Sequence, residues 1–191
     1  MQDPMDLKLL KKQTRKQIRE QKKLFPQEEK TKQSSQIFSA IEQSDMFRKA
    51  KVILLYWSMD DEVDTHEFIL KWYGNKTILL PCVSGDDLIL RRFEGMQSMK
   101  EGEQFSILEP TGMVFDDYSA IELMIIPGMA FDREKNRLGR GRGFYDRLLS
   151  VNRCTKIGIC FDFQLLDKVP VEDFDVKMDY VFSYNTLIGN E

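Results

Sequence analysis

Short, uninterrupted runs of apolar residues recur along the chain from residue 52 onwards. Each has the length of a β-strand, and a continuous apolar run is typical of a strand that is covered on both faces. The runs occupy residues 52–57, 77–81, 88–93, 123–126, 156–161 and 180–183. Helical patterns lie between them at 65–72, where Thr65 is predicted to cap the helix, and at 144–149. Strands interleaved with helices predict an α/β fold with one mainly parallel, twisted sheet between helical layers, a three-layer, Rossmann-like architecture.

The first fifty residues are predicted to be helical. Residues 7–24 form a strongly basic helix with a narrow apolar stripe of Leu7, Leu10, Thr14 and Ile18. Lys11, Arg15 and Arg19 recur every four residues and therefore share one face. Most of these cations are expected to be solvated, with a minority reaching a bound anion. A second helix begins near Pro26.

Length and composition limit the function classes. A chain of 191 residues with 42% apolar residues is expected to form a single domain over residues 1–191. Its net charge of −3 argues against a general nucleic-acid binder, and no apolar run reaches the roughly 20 residues of a membrane span. Three cysteines without Cys-x-x-Cys spacing predict reduced thiols in a cytoplasmic protein. The single histidine, His66, excludes a multi-histidine metal site.

The segment 137–147 carries the clearest chemical pattern. Gly139, Gly141 and Gly143 alternate with Arg140 and Arg142. Glycines allow backbone N–H groups to form an anion-binding concavity, to which the arginines add charge. The helix that follows also favours phosphate at its start, and its Asp146 is suited to magnesium. The pattern therefore predicts a nucleotide triphosphate site, although it is not a Walker A loop.

Two other interpretations of this segment stay open, a disordered RNA-binding stretch and a flexible surface loop. Apolar runs on both sides of the segment favour an ordered loop. Unusual residues also follow two other predicted strands, at 58–64 and 81–82. Because ligands of α/β sheets gather at the carboxyl ends of the strands, we expect these groups to share one edge with the glycine-rich segment. One of the four carboxylates in 60–64 is expected to bind a ligand.

Four blocks together resemble the 5-formyltetrahydrofolate cyclo-ligase family. Residues 127–132 and 136–146 are similar to the family's Pro-Gly-x-x-Phe-Asp and Asn-Arg-Leu-Gly-Arg-Gly-Lys-Gly-Tyr-Tyr-Asp signature. Residues 59–65 resemble a second block, and Gln164, Val169, Pro170 and 173–175 a third. The basic first helix resembles the fourth. The resemblance covers almost the whole chain.

The resemblance implies an enzyme that closes 5-formyltetrahydrofolate to 5,10-methenyltetrahydrofolate with ATP and Mg²⁺, releasing ADP and phosphate. The formyl oxygen would accept the γ-phosphoryl group, N10 would attack the formyl carbon, and phosphate would leave. Such a path needs no protein nucleophile, so catalysis would depend on positioning and on stabilising phosphoryl charge. The partners implied are ATP and the folate, with no nucleic acid and no membrane, and the protein is expected to be a monomer.

The resemblance also implies residue roles. ATP would contact Lys11, Arg15, Arg137, Gly139, Arg140, Gly141, Arg142, Gly143, Phe144 and Tyr145. The folate would contact Arg15, Trp57, Glu62, Phe105 and Tyr145, with Glu62 accepting hydrogen bonds from the pterin. Arg140, Arg142 and Tyr145 would be catalytic, and Asp146 and Asp175 would hold Mg²⁺.

Three positions depart from the family pattern. Arg142 stands where lysine is usual, Phe144 replaces a tyrosine, and Cys82 stands where a basic residue is common. Two further functions stay open on the residues themselves. One is a nucleic-acid binder that uses the basic helix and the arginine–glycine segment, and the other is an α/β enzyme that handles a different phosphate compound.

Overall fold

The computed structural model describes residues 4–85, 87–102 and 108–189. The α-helices are α1 Pro4–Leu24, α2 Gln27–Gln43, α3 Asp45–Lys49, α4 His66–Trp72 and α5 Phe144–Ser150. The strands are β1 Val52–Leu54, β2 Thr77–Ser84, β3 Asp87–Arg92, β4 Met99–Glu101, β5 Leu108–Pro110, β6 Val114–Phe115, β7 Leu123–Pro127, β8 Ala130–Asp132, β9 Arg137–Leu138, β10 Thr155–Ile159, β11 Leu165–Leu166, β12 Tyr180–Phe182 and β13 Leu187–Ile188. Short 3₁₀ turns cover Met96–Ser98, Tyr118–Ala120 and Asp162–Gln164.

The central sheet confirms the predicted α/β architecture. Its strand order is β13-β12-β10-β7-β1-β2-β3-β6, and the pairs from β12 across to β2 are parallel. The edges are antiparallel. The run at 88–93 forms β3, which returns beside β2 because the connection from Ser84 to Asp87 is far too short for a parallel crossover.

Alternate residues of the parallel strands face two different helical layers. Ile53 of β1 and Ile125 of β7 belong to a core with α2, α3 and α4, whereas Leu54 and Ile126 belong to a core with α5. Successive strand side chains point to opposite faces of a sheet, so each apolar run fills both cores. The helices on both faces of the sheet confirm the predicted three layers.

Helix α1 is attached differently from the prediction. Leu10 of the predicted stripe is 40% exposed, whereas Ile18 is fully buried against Leu138 and Val169. Lys11 and Lys22 are also buried, so the cations of α1 are not all solvated. No helix in the described ranges is both long and apolar enough to cross a bilayer.

Two local predictions are corrected. The apolar run at 52–57 is a strand only to Leu54, so Trp57 lies in the irregular segment between β1 and the turn at 60–61. Thr65 stands at the start of α4 without capping it through its side chain. Its hydroxyl instead donates to the carbonyl oxygen of Tyr56 (2.6 Å) and accepts from the Ser58 N–H (3.1 Å). Asp64 accepts the N–H of His66 at 2.8 Å in its place.

The Pro-Gly-x-x-Phe-Asp segment fixes the chain around the carboxyl end of β7. Asp132 is buried and accepts the N–H groups of Glu134 and Val169 (both 2.9 Å) and both the backbone N–H and the side-chain amide of Asn136 (3.0 and 2.9 Å). Gln164 donates its amide to the carbonyl oxygens of Gly128 and Met129. This segment therefore positions the glycine-rich loop without itself presenting Asp132 to a ligand.

We expect the substitution Asp132→Asn to lower the free energy of unfolding by about 2–4 kcal/mol, because an amide NH₂ would replace an oxygen that accepts buried N–H groups. Urea unfolding followed by circular dichroism measures this. Asp116→Asn, at an exposed aspartate, is the matched control and should change stability little. Equal stability of the two variants would contradict the structural role of Asp132.

Candidate active site

A cavity of about 310 Å³ opens at the carboxyl ends of β1 and β7. The strand after β1 in the chain, β2, lies on one side of β1, and the next parallel strand, β7, lies on the other. The order of strands therefore reverses between β1 and β7, and α/β sheets bind ligands at such a switch point. Tyr56 and Trp57 line the cavity from the β1 side, and Pro127 and Gly128 line it from the β7 side.

Most of the predicted site residues line this cavity. They are Trp57, Glu62, Arg137, Gly139, Arg140, Gly141, Arg142, Gly143, Phe144, Tyr145 and Asp146. The groups that follow β1 and β7 share this edge, as expected. Residues 81–82 do not follow their strand, because β2 continues to Ser84, and of these two residues only Pro81 lines the cavity. Phe105 lies outside the described residues.

The glycine-rich loop is ordered and closes one side of the cavity. Gly141 has φ +109° and Gly143 has φ +72°, backbone conformations in which a side chain would be strained. The Arg15 side chain of α1 donates from Nε to the carbonyl oxygen of Gly139 at 2.8 Å. Arg15 therefore supports the loop from behind and is not itself among the cavity-lining residues.

Arg140 connects the glycine-rich loop to the acidic turn after β1. Its Nη2 donates to Asp61 Oδ1 and to Glu62 Oε1, both at 2.8 Å. Burial lowers the pKa of Arg140, but the charges of Glu62 and Asp61 outweigh this and leave it above its ordinary value. Glu62 is itself buried and accepts the N–H of Met59 at its second oxygen. The predicted phosphate-binding arginine and the predicted pterin-binding glutamate are therefore paired with each other.

Lys22 is a site-associated residue that the sequence did not single out, and its partner is Asp61, one of the four carboxylates in 60–64. The buried Lys22 ammonium donates to Asp61 Oδ2 at 3.2 Å. Burial acts to raise the pKa of Asp61, but Lys22 and Arg140 outweigh it and leave that pKa below its usual range. The available signal was the position of Lys22 four residues after the buried Ile18, on the same helix face.

Arg137 is buried beneath the cavity and holds Asp146. Its guanidinium donates from Nη2 to Asp146 Oδ1 at 2.7 Å and from Nη1 to the carbonyl oxygen of Pro127 at 3.2 Å. The Arg137 Nε has no hydrogen-bond partner in the described part of the chain. The ring of Tyr145 lies 5.6 Å from the guanidinium carbon. Burial and then Glu62 raise the pKa of Tyr145, so its phenol is protonated at neutral pH.

The two predicted magnesium ligands occupy different surroundings. Asp146 lines the cavity, and its Oδ2 makes no hydrogen bond within the described ranges. Asp175 is not a lining residue; it accepts Lys11 Nζ at 2.6 Å and the N–H of Glu172 at 2.8 Å. No group of three or more His, Cys, Asp or Glu side chains among the described residues is arranged to hold a metal.

Lys11 does not line the cavity either. Besides Asp175 it binds Glu172 at 2.7 Å, and its ammonium lies 5.8 Å from the centre of the Phe174 ring. Lys11 therefore joins α1 to the segment 172–175.

The three departures from the family pattern fall in different places. Arg142 is exposed at the cavity rim, with its guanidinium 6.0 Å from the centre of the Phe144 ring. Cys82 is buried in β2, its thiol 3.6 Å from the carbonyl oxygen of Pro110, and is not among the lining residues. Burial, together with Glu109, raises the pKa of Cys82 to about 12. Cys82 therefore stays a buried thiol away from the ligand cavity.

The model of the 5-formyltetrahydrofolate cyclo-ligase family matches residues 8–184. A protein of Haemophilus influenzae named 5-formyltetrahydrofolate cyclo-ligase is 34% identical over 152 residues, covering 74% of this chain and 78% of its own. The protein of that name from Escherichia coli strain K12 is 33% identical over 141 residues, covering 69% and 77%.

Solved structures that resemble this chain carry a related name. The 5,10-methenyltetrahydrofolate synthetase of Aquifex aeolicus superposes with a TM-score of 0.86 at 29% identity, covering 94% of this chain and 92% of that one. A synthetase from Mycoplasma pneumoniae, at 24% identity and a TM-score of 0.72, shares the fold. The resemblance found in the sequence motifs is thereby confirmed. The chain belongs to the 5-formyltetrahydrofolate cyclo-ligase family.

Proposed function

We propose that this protein uses ATP and Mg²⁺ to convert 5-formyltetrahydrofolate to 5,10-methenyltetrahydrofolate, releasing ADP and phosphate. The observation that carries the proposal is the Arg140–Glu62 contact at 2.8 Å. It brings the glycine-rich loop, suited to phosphates, and a buried carboxylate, suited to the pterin, to the same cavity. A transfer between a nucleotide and a folate needs both sites within one enclosed space.

The lining of the cavity offers two kinds of chemistry. Gly139 to Gly143 with Arg140 and Arg142 offer N–H groups and charges that suit an anion. Trp57, Glu62 and Tyr145 offer aromatic rings and a carboxylate. A flat pterin suits aromatic walls, and its N–H groups suit a carboxylate acceptor.

The proposed reaction has two steps. The formyl oxygen attacks the γ-phosphorus, and the bond from that phosphorus to the bridging oxygen breaks, so that ADP leaves. N10 then attacks the activated formyl carbon and loses its proton, and the carbon–oxygen bond breaks with release of phosphate. Arg140 and Arg142 stabilise the charge on the transferred phosphoryl group, and the protonated Tyr145 donates a hydrogen bond to the same group.

Asp146 is the residue that suits Mg²⁺. A magnesium ion bound with a nucleotide needs only one or two protein carboxylates, because phosphates and water supply its other ligands. Asp146 lines the cavity and is oriented by Arg137 through one of its two oxygens. The ion would neutralise phosphate charge. We propose Asp175 as a second ligand. To bind the ion, its carboxylate would have to release the Lys11 ammonium.

The direct test is a spectrophotometric assay of the purified protein with 5-formyltetrahydrofolate, Mg²⁺ and ATP. We expect a near-ultraviolet band of the conjugated methenyl product to grow only when all three are present, with ADP formed in equal amount. Reactions without ATP or with EDTA are the controls. A folded protein that binds ATP but forms no methenyl product would overturn the proposal in favour of another phosphate-handling reaction.

The substitution Asp146→Asn should reduce turnover by at least about tenfold, the scale on which metal sites respond even to changes around the ligands. Asp87→Asn is the matched control, because Asp87 pairs with Arg147 on an exposed surface. Steady-state rates over a range of Mg²⁺ concentrations, with thermal unfolding alongside, measure the effect. Native turnover and an unchanged Mg²⁺ requirement in Asp146→Asn would remove Asp146 from the metal site.

The substitution Glu62→Gln should raise the KM for the folate about ten- to hundredfold, the expected loss for hydrogen bonds to a charged acceptor. The KM for ATP should change much less. Glu67→Gln, an exposed position on α4, should behave as the native protein. An equal rise in both KM values would show instead that Glu62 acts through Arg140 on the whole cavity.

We also propose that the protein is a cytoplasmic monomer that folds as one domain over residues 1–191. The cysteines Cys82, Cys154 and Cys160 are all free thiols, as a reducing compartment favours. The central sheet draws its strands from β1 at Val52 to β13 at Ile188, which supports one folding unit.

A further inference from the structure

We propose that His66 is a positioning residue that fixes the ring of Trp57 in the cavity wall and thereby sets the fit of the folate. This inference rests on the proposed function and adds a residue outside the motifs that identify the family. His66 is the chain's single histidine and the first residue of α4. It does not line the cavity.

The His66 ring lies flat against Trp57. The two ring centres are 4.0 Å apart and the planes are inclined by 21°. The Phe93 ring is also close to parallel with Trp57, at 5.8 Å and 24°. Trp57 therefore contacts two aromatic rings, of which Phe93 is buried in the core and His66 is partly exposed. Without the imidazole, one of these two restraints on the indole would be missing.

His66 is itself held in one orientation. Its Nε2 lies 3.0 Å from the carbonyl oxygen of Ser58, the residue directly after Trp57. A carbonyl can only accept, so Nε2 carries the proton of this bond. The Asp64 carboxylate accepts the His66 backbone N–H at 2.8 Å and faces Nδ1 at 3.6 Å. His66 thus contacts both the ring of Trp57 and the backbone that follows it.

Asp64 is itself held in place by its neighbours. Its backbone N–H donates to the Ser34 hydroxyl of α2 at 2.9 Å, and the adjacent Thr65 is fully buried. The orientation of Trp57 therefore depends on a chain of contacts from α2 through Asp64 and His66. A stacked aromatic pair contributes about 0.5–1.5 kcal/mol beyond burial, which corresponds to about a two- to tenfold change in an equilibrium constant.

The test compares His66→Leu, which removes the flat ring, with His66→Phe, which keeps it. For His66→Leu we expect the KM for 5-formyltetrahydrofolate to rise about two- to tenfold, with the KM for ATP and kcat close to native. His66→Phe should restore most of the folate KM. Acrylamide quenching of Trp57 fluorescence, in a Trp72→Phe background, should increase for His66→Leu and stay near native for His66→Phe.

Three outcomes would overturn the proposal. These are native folate KM and native quenching in His66→Leu, equal rises in both KM values together with a lower unfolding temperature, and failure of His66→Phe to restore what His66→Leu loses. If the native protein forms no methenyl product, the proposed function fails, and the quenching measurement still decides whether His66 positions Trp57. If Trp72→Phe does not fold, each His66 variant is compared with the same variant carrying Trp57→Phe. The difference between the two fluorescence signals then gives the acrylamide quenching of Trp57.

Discussion

The structure depends on how α1 buries positive charge. Lys11, Arg15, Ile18 and Lys22 share the face of α1 that meets the rest of the protein, and only Ile18 among them is apolar. A buried cation is costly unless it is paired, so the buried Lys11 and Lys22 and the half-buried Arg15 each require a specific acceptor. Lys11 donates to a carboxylate of the segment 172–175, and Arg15 donates to the carbonyl oxygen of Gly139. Lys22 donates to the carboxylate of Asp61. One helix thereby fixes the glycine-rich loop and the acidic turn, which both contribute lining residues, and the segment 172–175, which does not.

This arrangement also explains where the sequence interpretation of α1 was wrong. The predicted stripe followed the apolar residues Leu7, Leu10 and Ile18, because apolar periodicity is the usual sign of a buried face. The true face runs through positions 11, 15, 18 and 22, at helical intervals, but three of its four members are charged. Their partners lie tens to more than a hundred residues away, as between Lys11 and Asp175. Such pairs depend on the tertiary fold, so the regular spacing of the cations along α1 could not identify their partners.

Other features were accessible from the sequence to different degrees. Continuous apolar runs identified the parallel strands, because burial on both faces demands them. The position of the glycine-rich loop at the cavity was predicted correctly, because its alternating glycines and arginines lie between two apolar, core-forming runs. Motif resemblance assigned Asp146 to a metal and gave Asp132 of the same signature no role. The structural reason for Asp132 comes only from its surroundings, where N–H donors enclose it, whereas Asp146 faces the cavity.

The pairing of Arg140 with Asp61 and Glu62 has a consequence for the choice of ligand. The cavity contains its own internal anions, so an incoming anion competes with carboxylates that already satisfy the guanidinium. A small anion with one charged group gains too few contacts to displace them. A polyphosphate that also reaches the N–H groups of the glycine-rich loop and Arg142 gains several contacts at once. The acidic turn would thus favour ligands that bring several anionic groups over those that bring one.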